Sequence, residues 1–298
     1  MDTHIIMQDK VTSQERDKVG LVLEGGGMRG MYTAGVLDVF LQENIWPDGV
    51  IGVSAGAIHG CSYMSEQLGR SVRYNLKYIH DKRYVSLKSW ITTGDIFNVK
   101  FCYDTIPNEL SVFDYDTFKK NAEKIPFYVT CSNVETGKAE YIRCRDFRYD
   151  MDYMRASASL PLVSRMVEVN EKKLLDGGTT DSIPVAYFEH IGYKKNIVIL
   201  TRPEGYVKKP DSSIHIIEKK YSKYPAYVEA CRERHEMYNR TLQHIREGEK
   251  AGNILVIRPS RSVKIGRVEK NTDKLKYMYK LGRYDARKKL PIIRQFLE

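Results

Sequence analysis

Short apolar runs closed by glycine alternate along this chain with longer stretches whose apolar positions recur at helical spacing. Gly20 to Glu24 reads Gly-Leu-Val-Leu-Glu and is stopped by three glycines, which predicts a buried parallel strand. From about Gly30 to Glu43, Ala34, Val36, Leu37, Phe40 and Leu41 share one broad helical stripe. The unit then repeats: an apolar run from Gly49 to Val53, a tight turn at Ser54, and small residues Ala55, Gly56 and Ala57 opening a helix to about Glu66. Further strands are predicted at Phe127 to Ser132, Ala139 to Cys144, Val163 to Val169, Asn196 to Thr201 and Asn253 to Arg258, with helices near Asp150 to Ser157 and Ser182 to His190. The alternation implies an α/β fold with a mostly parallel central sheet covered by helices on both faces.

No low-complexity linker or internal repeat divides the chain. The expected organisation is a polar N-terminal extension over 1–17, an α/β domain over 18–258 with peripheral helices at about 208–250, and a basic segment over 259–298 packed on that domain. Composition adds that the chain is globular, with 42% hydrophobic and 29% charged residues in 298. No apolar stretch reaches the roughly 18 residues of a membrane span, and the polar N-terminus lacks an apolar core, so neither a transmembrane helix nor a secretory signal is expected. Five scattered cysteines without a CxxC indicate neither a disulfide framework nor a metal site, and reduced thiols suit a cytoplasmic location. No cofactor is expected.

Charge changes the picture at one end only. From Arg258 to Glu298 there are 13 Lys and Arg against 4 Asp and Glu, nearly the whole excess of +10. Such a segment can draw a protein to anionic headgroups at about 1 kcal/mol per well-placed basic residue, as a peripheral membrane contact through 258–298. It can equally be the solvated face of a helix that buries Leu275, Met278, Tyr279 and Leu281 while Lys274, Lys276 and Lys280 point outward. No nucleic-acid reader motif accompanies the charge, so specific nucleic-acid binding is not expected. Tyr221, Tyr224 and Tyr227 could line an acyl channel, although tyrosine suits ordinary half-buried packing better.

Three motifs could carry chemistry. Gly52-Val-Ser54-Ala-Gly56 is a GxSxG between an apolar run and a helix, the context in which a strand-to-helix turn exposes a serine hydroxyl. By composition the bare pattern would arise in about one chain in ten of this length, so its placement matters more than its presence. Gly25-Gly-Gly-Met-Arg29-Gly30, also directly after a strand, offers consecutive backbone N–H groups at a helix start, a device that stabilises an oxyanion. The same hexapeptide fits the dinucleotide fingerprint GxGxxG, with Asp48 18 residues after Gly30 as ribose-binding acid. Asp48, however, precedes the second strand where the fingerprint wants the acid at its end. Asp176-Gly177-Gly178 follows Leu174-Leu175 and places a carboxylate in a tight turn, which an ordinary Asp-Gly hairpin would also explain. His190, His215, His235 and His244 lie downstream, but none has a distinctive neighbourhood.

Taken in order, GGGMRG, GVSAG and DGG, each after an apolar run, resemble the patatin-like phospholipase family. Ala156-Ser157-Ala158-Ser159-Leu-Pro161 resembles the segment ahead of that family's aspartate, and Asp176 to Pro184 resembles its bacterial members. The resemblance covers about Val19 to Pro184. It implies a patatin-like three-layer sandwich and a metal-free Ser–Asp dyad, in which Asp176 accepts the proton of Ser54 and an acyl-enzyme forms. It further implies that Gly26, Gly27 and Met28 donate to the oxyanion, that Gly25 and Gly30 permit the loop's shape, and that the substrate is a phospholipid or other lipid ester; Arg29, read from its place alone, could hold the loop or face an anionic substrate. The turn reads GVSAG rather than the GTSxG of plant members, a change that leaves this chemistry intact. A non-catalytic lipid-binding or scaffold protein of the same fold is the alternative.

Overall fold

Strand register places the loops of interest at one edge of a single sheet, in a computed structural model that describes residues 16–298; the first fifteen residues of the expected N-terminal extension lie outside the described residues. In chain order the strands are β1 (Val19–Leu23), β2 (Gly49–Val53), β3 (Phe127–Asn133), β4 (Ala139–Cys144), β5 (Val167–Val169), β6 (Lys172–Asp176), β7 (Lys195–Ile199) and β8 (Ile254–Ile257). They lie in the order β5-β6-β3-β2-β1-β7-β8, with β4 also paired to β3. The five strands from β3 to β8 pair in parallel, while β3–β4, β3–β6 and β5–β6 are antiparallel. The sheet is thus mostly parallel, as its apolar runs implied.

The helices are α1 (Met31–Gln42), α2 (Ala55–Met64), α3 (Arg70–Tyr78), α4 (Leu87–Thr93), α5 (Tyr115–Lys124), α6 (Phe147–Ser157), α7 (Val185–His190), α8 (Ile214–Lys220), α9 (Pro225–Ala251) and α10 (Thr272–Leu297), with a π-helical stretch at Phe101–Leu110. Side chains alternate across each strand, which divides the core in two. Leu21, Leu23, Val129 and Ile199 pack with residues of α1, α2, α5, α6 and α10, while Val22, Ile51, Val198 and Val256 pack with α7 and α9. Helices cover both faces, so the central strands read as continuous apolar runs, and the result is a three-layer sandwich.

Departures from the sequence reading concentrate at the antiparallel edge. The strand expected over Val163 to Val169 is only Val167–Val169, because Pro161 to Ser164 form a turn in which Leu162 has φ +72°. β6 escaped notice because its exposed end reads Lys-Lys. α7 begins at Val185 rather than Ser182, after Pro184 as its N-cap. Among the described residues, no helix is long and apolar enough to cross a membrane.

α1 buries every residue from Met31 to Phe40, more than one amphipathic stripe predicts. The sheet covers one side and α10 covers the other. The two helices touch backbone to backbone: a Cβ on Gly35 would stand 2.1 Å from the Tyr279 carbonyl oxygen, and one on Gly282 would stand 2.1 Å from the Tyr32 carbonyl oxygen. Asp38 then accepts from the Tyr279 hydroxyl at 2.7 Å and Asp285 from the Tyr32 hydroxyl at 3.0 Å.

Replacing either glycine tests this crossing. Alanine is better than glycine in a helix by about 1 kcal/mol, yet the overlap with a carbonyl that cannot swing aside outweighs it. Gly35→Val and Gly282→Val are each expected to lower unfolding free energy by about 3 kcal/mol in urea titrations; an unchanged midpoint would contradict the close approach.

Candidate active site

β2 ends at Val53 and the chain reverses at Ser54, whose backbone has φ +54° and ψ −123°. A non-glycine residue held there stores strain, and such strain persists only where the surroundings enforce it. The neighbours do so by leaving no room. A Cβ at Gly52 would lie 2.5 Å from the Ala57 nitrogen, and one at Gly56 would lie 2.4 Å from the Leu23 carbonyl oxygen. The buried Ser54 N–H donates to Ser157 Oγ at 2.8 Å, and that hydroxyl donates onward to the Thr130 carbonyl at 2.7 Å. Ser157 thus ties the turn to α6 and β3, a role its place in a motif did not reveal.

Register brings Asp176 to the same point. On β3, Thr130 pairs with Val53, and the next residue, Cys131, pairs with Asp176 on one edge and Glu140 on the other. β4 occupies the edge carrying Glu140, so β6 must enter along the edge that β2 has just left. β2 and β6 therefore meet end to end, with Ser54 and Asp176 at the junction. Gly177 is required there, since a Cβ would lie 2.2 Å from the Thr130 carbonyl oxygen.

Asp176 Oδ1 accepts from the Gly178 N–H at 2.8 Å, whereas its buried Oδ2 makes no hydrogen bond among the described residues. Burial raises the carboxyl above its ordinary pKa, and the Ser54 hydroxyl, Arg234, the Gly178 N–H and Arg267 pull it back. Ser54 is therefore near enough to stabilise the carboxylate, while the pair stands looser than a formed hydrogen bond. Arg234 Nε donates to the Gly178 carbonyl and steadies the turn.

The glycine loop lies across from both. A Cβ at Gly25 would stand 3.3 Å from Ser54 Cβ, and one at Gly30 would stand 2.9 Å from Ala55 Cβ. Gly27 has φ +55°, and Arg267 presses its backbone against it. One expected donor is engaged: the Met28 N–H donates to the Arg267 carbonyl at 3.0 Å, so in this conformation it cannot also serve an oxyanion. The N–H of Arg29 is turned to the Gly26 carbonyl at 3.3 Å. The Gly26 and Gly27 N–H groups make no hydrogen bond among the described residues. Glu24 anchors the loop, accepting from Tyr238, from the Thr201 N–H and from its hydroxyl. Arg29 is buried with Nε unpartnered, and burial together with Arg202 lowers it to about 10.

Ser54 opens on a cavity of roughly 1060 Å³, counting its mouth, lined mainly by apolar side chains including Met31, Ile58, Phe97, Ile106, Phe113 and Leu160. Its imidazole is one that sequence reasoning passed over: His59 on α2 is buried, and burial lowers it to about 4, which keeps it neutral. The four histidines considered from sequence lie elsewhere. His244 is paired with Glu189, His215 with Glu218, His235 with the Arg232 carbonyl, and His190 is exposed at the end of α7. Asp48 belongs to the far end of the sheet, where it accepts from the Val19 N–H and Arg16, so it cannot face the glycine loop as a ribose-binding acid. Tyr221 and Tyr227 are buried with Leu175, Val134 and Ile217, away from that cavity.

The chain matches two family models, Patatin-like phospholipase over residues 21–189 and a Domain of unknown function (DUF6363) over 224–298. It is 27% identical over 188 residues to the protein YjjU of Escherichia coli, a match covering 62% of this chain and 52% of that one. It is 29% identical over 176 residues to Lysophospholipase NTE1 of Saccharomyces cerevisiae, covering 56% of this chain and 10% of that one. The match thus spans about half of the bacterial relative and a tenth of the fungal one. The crystal structure of VipD from Legionella pneumophila superposes with a TM-score of 0.45 at 11% identity, covering 92% of this chain and 66% of that chain.

The orphaned Asp176 carboxylate gives a stability test. Its folded-state pKa is raised, so ionising it costs stability that is regained as pH falls below that raised value. Asp176→Asn keeps an acceptor for Gly178 and removes the charge. The variant is expected to melt above wild type at pH 7 to 8, with the gain vanishing toward pH 3. A variant equally or less stable at every pH would show the carboxylate to be well solvated.

Proposed function

The chain belongs to the patatin-like phospholipase family, and on that premise we propose that it is a serine lipid acyl-hydrolase of the phospholipase A or lysophospholipase type. Ser54 Oγ attacks the ester carbonyl while Asp176 Oδ2 takes its proton. The tetrahedral oxyanion is held by the Gly26 and Gly27 N–H groups, reinforced by the N-terminal end of α2. Collapse expels the alcohol, which takes the proton from Asp176, and leaves an acyl-enzyme; water then attacks in the same geometry and frees the fatty acid. The acyl chain occupies the apolar cavity. No histidine, metal or cofactor enters this scheme.

One observation carries the reading. A serine is forced into a strained turn beside a buried carboxylate that keeps one oxygen free, and that serine lines an apolar cavity. Structural ion pairs do not need an unpartnered oxygen, whereas a base about to accept a proton does. The surface of α10, where Lys280, Arg283, Arg287 and Lys288 line an open concavity, supports peripheral contact with an anionic membrane during catalysis.

Labelling with a fluorophosphonate, together with fatty-acid release from mixed phospholipid and lysophospholipid vesicles, tests the assignment. Ser54→Ala and Asp176→Asn are expected to lose labelling and to cut release by at least about 10³-fold, while His190→Ala retains both. Release that survives in Asp176→Asn would remove the dyad, and a wild type that neither labels nor releases acid would favour a lipid-binding role without catalysis. Since the base must be ionised and burial raises it, kcat/KM is expected to climb with pH through an apparent pKa above the ordinary carboxylate range.

A further inference from the structure

A second cavity, roughly 1000 Å³ with its open mouth, adjoins the first and shares Arg267 with it. Its chemistry is the opposite. Lys208, Lys209, Arg234 and Arg267 line it against a single carboxylate, Asp211, which is itself occupied by the Ser213 N–H at 2.9 Å and the Ser213 hydroxyl. Among the described residues none of Lys208, Arg234, Arg267 or the neighbouring Arg29 forms an ion pair. We propose that Lys208, Arg234 and Arg267 form a subsite for the phosphate of an anionic phospholipid headgroup, set beside the ester-cleaving centre by the C-terminal part of the chain. The proposal rests on the hydrolase reading above for the position of the ester.

Three arguments support it. Cations crowded together are costly where counter-charges are too few; Asp211, Asp176 and Glu24 act on these without pairing with any of them, and a polyanion that enters lowers the cost. That crowding is visible here: burial, with Arg234 and Arg267 adding repulsion, lowers Lys208 to about 7. Arg267 is exposed, but it too is lowered, by desolvation against the chamber wall and then by Arg234. Next, the cations are held in place by contacts that leave their charges free. Lys208 exchanges two backbone hydrogen bonds with the Asn239 side chain, and its ammonium lies 4.5 Å from the Tyr238 ring centroid. Arg234 spends only Nε on the Gly178 carbonyl. Finally, Arg234 reaches the turn that carries Asp176 through the Gly178 carbonyl, and Arg267 also lines the cavity on which Ser54 opens, so an anion between them sits beside the scissile ester. With the one carboxylate engaged, the chamber offers little to a choline ammonium, which favours a phosphomonoester or another headgroup without a positive charge.

The full-length protein would be assayed on three lipids sharing one oleoyl chain, lysophosphatidic acid, lysophosphatidylcholine and monooleoylglycerol, in neutral-detergent micelles. Lysophosphatidic acid is expected to exceed monooleoylglycerol in kcat/KM by about tenfold or more, and Lys208→Gln and Arg267→Gln each to shrink that ratio about three- to tenfold, chiefly through KM. Arg267→Lys should restore part of the ratio, which a merely structural role would not predict. A ratio identical in wild type and both variants overturns the subsite. Inorganic phosphate separates the two sources of the same chemistry. Competitive inhibition by phosphate that the variants lose supports a phosphate site, but the same loss with an unchanged lipid ratio assigns the chamber to free phosphate and overturns the headgroup reading. Should wild type hydrolyse none of these esters, the hydrolase reading fails alone. The chamber is then decided by fluorescent lysophosphatidic acid binding to Ser54→Ala, which Lys208→Gln must weaken for the subsite to stand.

Discussion

The candidate site depends on β3 serving two strands in turn along one edge. β2 occupies that edge up to the pair Val53–Thr130, and β6 takes it over from the other direction at Cys131–Asp176. A strand end is where a backbone must leave the ladder, so both chains turn away at the junction, one exposing a hydroxyl and the other a carboxylate. Shifting β6 by one residue would send Asp176 to the opposite face of the sheet. The glycines on either side follow from the same crowding: Gly52, Gly56 and Gly177 lie where another backbone already fills the space of a side chain.

Burial at that junction sets the electrostatics. Removing a carboxylate from water makes it a better proton acceptor, and here the environment stops short of satisfying it fully. The same low-dielectric setting keeps His59 neutral and raises Cys61 to about 11, so two other reactive side chains in the cavity wall are held inert. His59 Nδ1 is unpartnered as Asp176 Oδ2 is, but burial acts on the two in opposite senses, lowering the imidazole and raising the carboxyl.

How much of this was legible beforehand follows from burial. Central strands with helices on both faces must be apolar throughout, so β2 coincides with its predicted run and β1, β3, β7 and β8 do so within one or two residues; β4, half-buried beside β3, also matches its predicted bounds. Edge strands are wet on one side, and β6, beginning Lys-Lys, gave no such run. The stretch between Gln67 and Pro126 yielded no elements, because α3 is polar by composition yet buries Arg70 and Asn75, and the π-helical stretch contains Pro107. Local motifs pointed to Ser54, Asp176 and the glycine loop, since glycine spacing records backbone crowding directly. They could not reveal that Arg267 caps Met28, nor that Ser157 holds the Ser54 amide, because each partner lies far away in sequence and has no distinctive local pattern.

The backbone crossing of Gly35 and Gly282 bears on how such a protein could have been assembled. Two sequence families meet in this chain, and a boundary between families often marks a seam where modules were joined and can be exchanged. Here the second family's last helix supplies one wall around α1, and the loop leading into that helix braces the glycine turn through Arg267. A partner so placed cannot be swapped for an unrelated module without reopening the core of the first. The two segments thus restrict by packing which residues each can accept where they touch, and the junction between them is one of names rather than of matter.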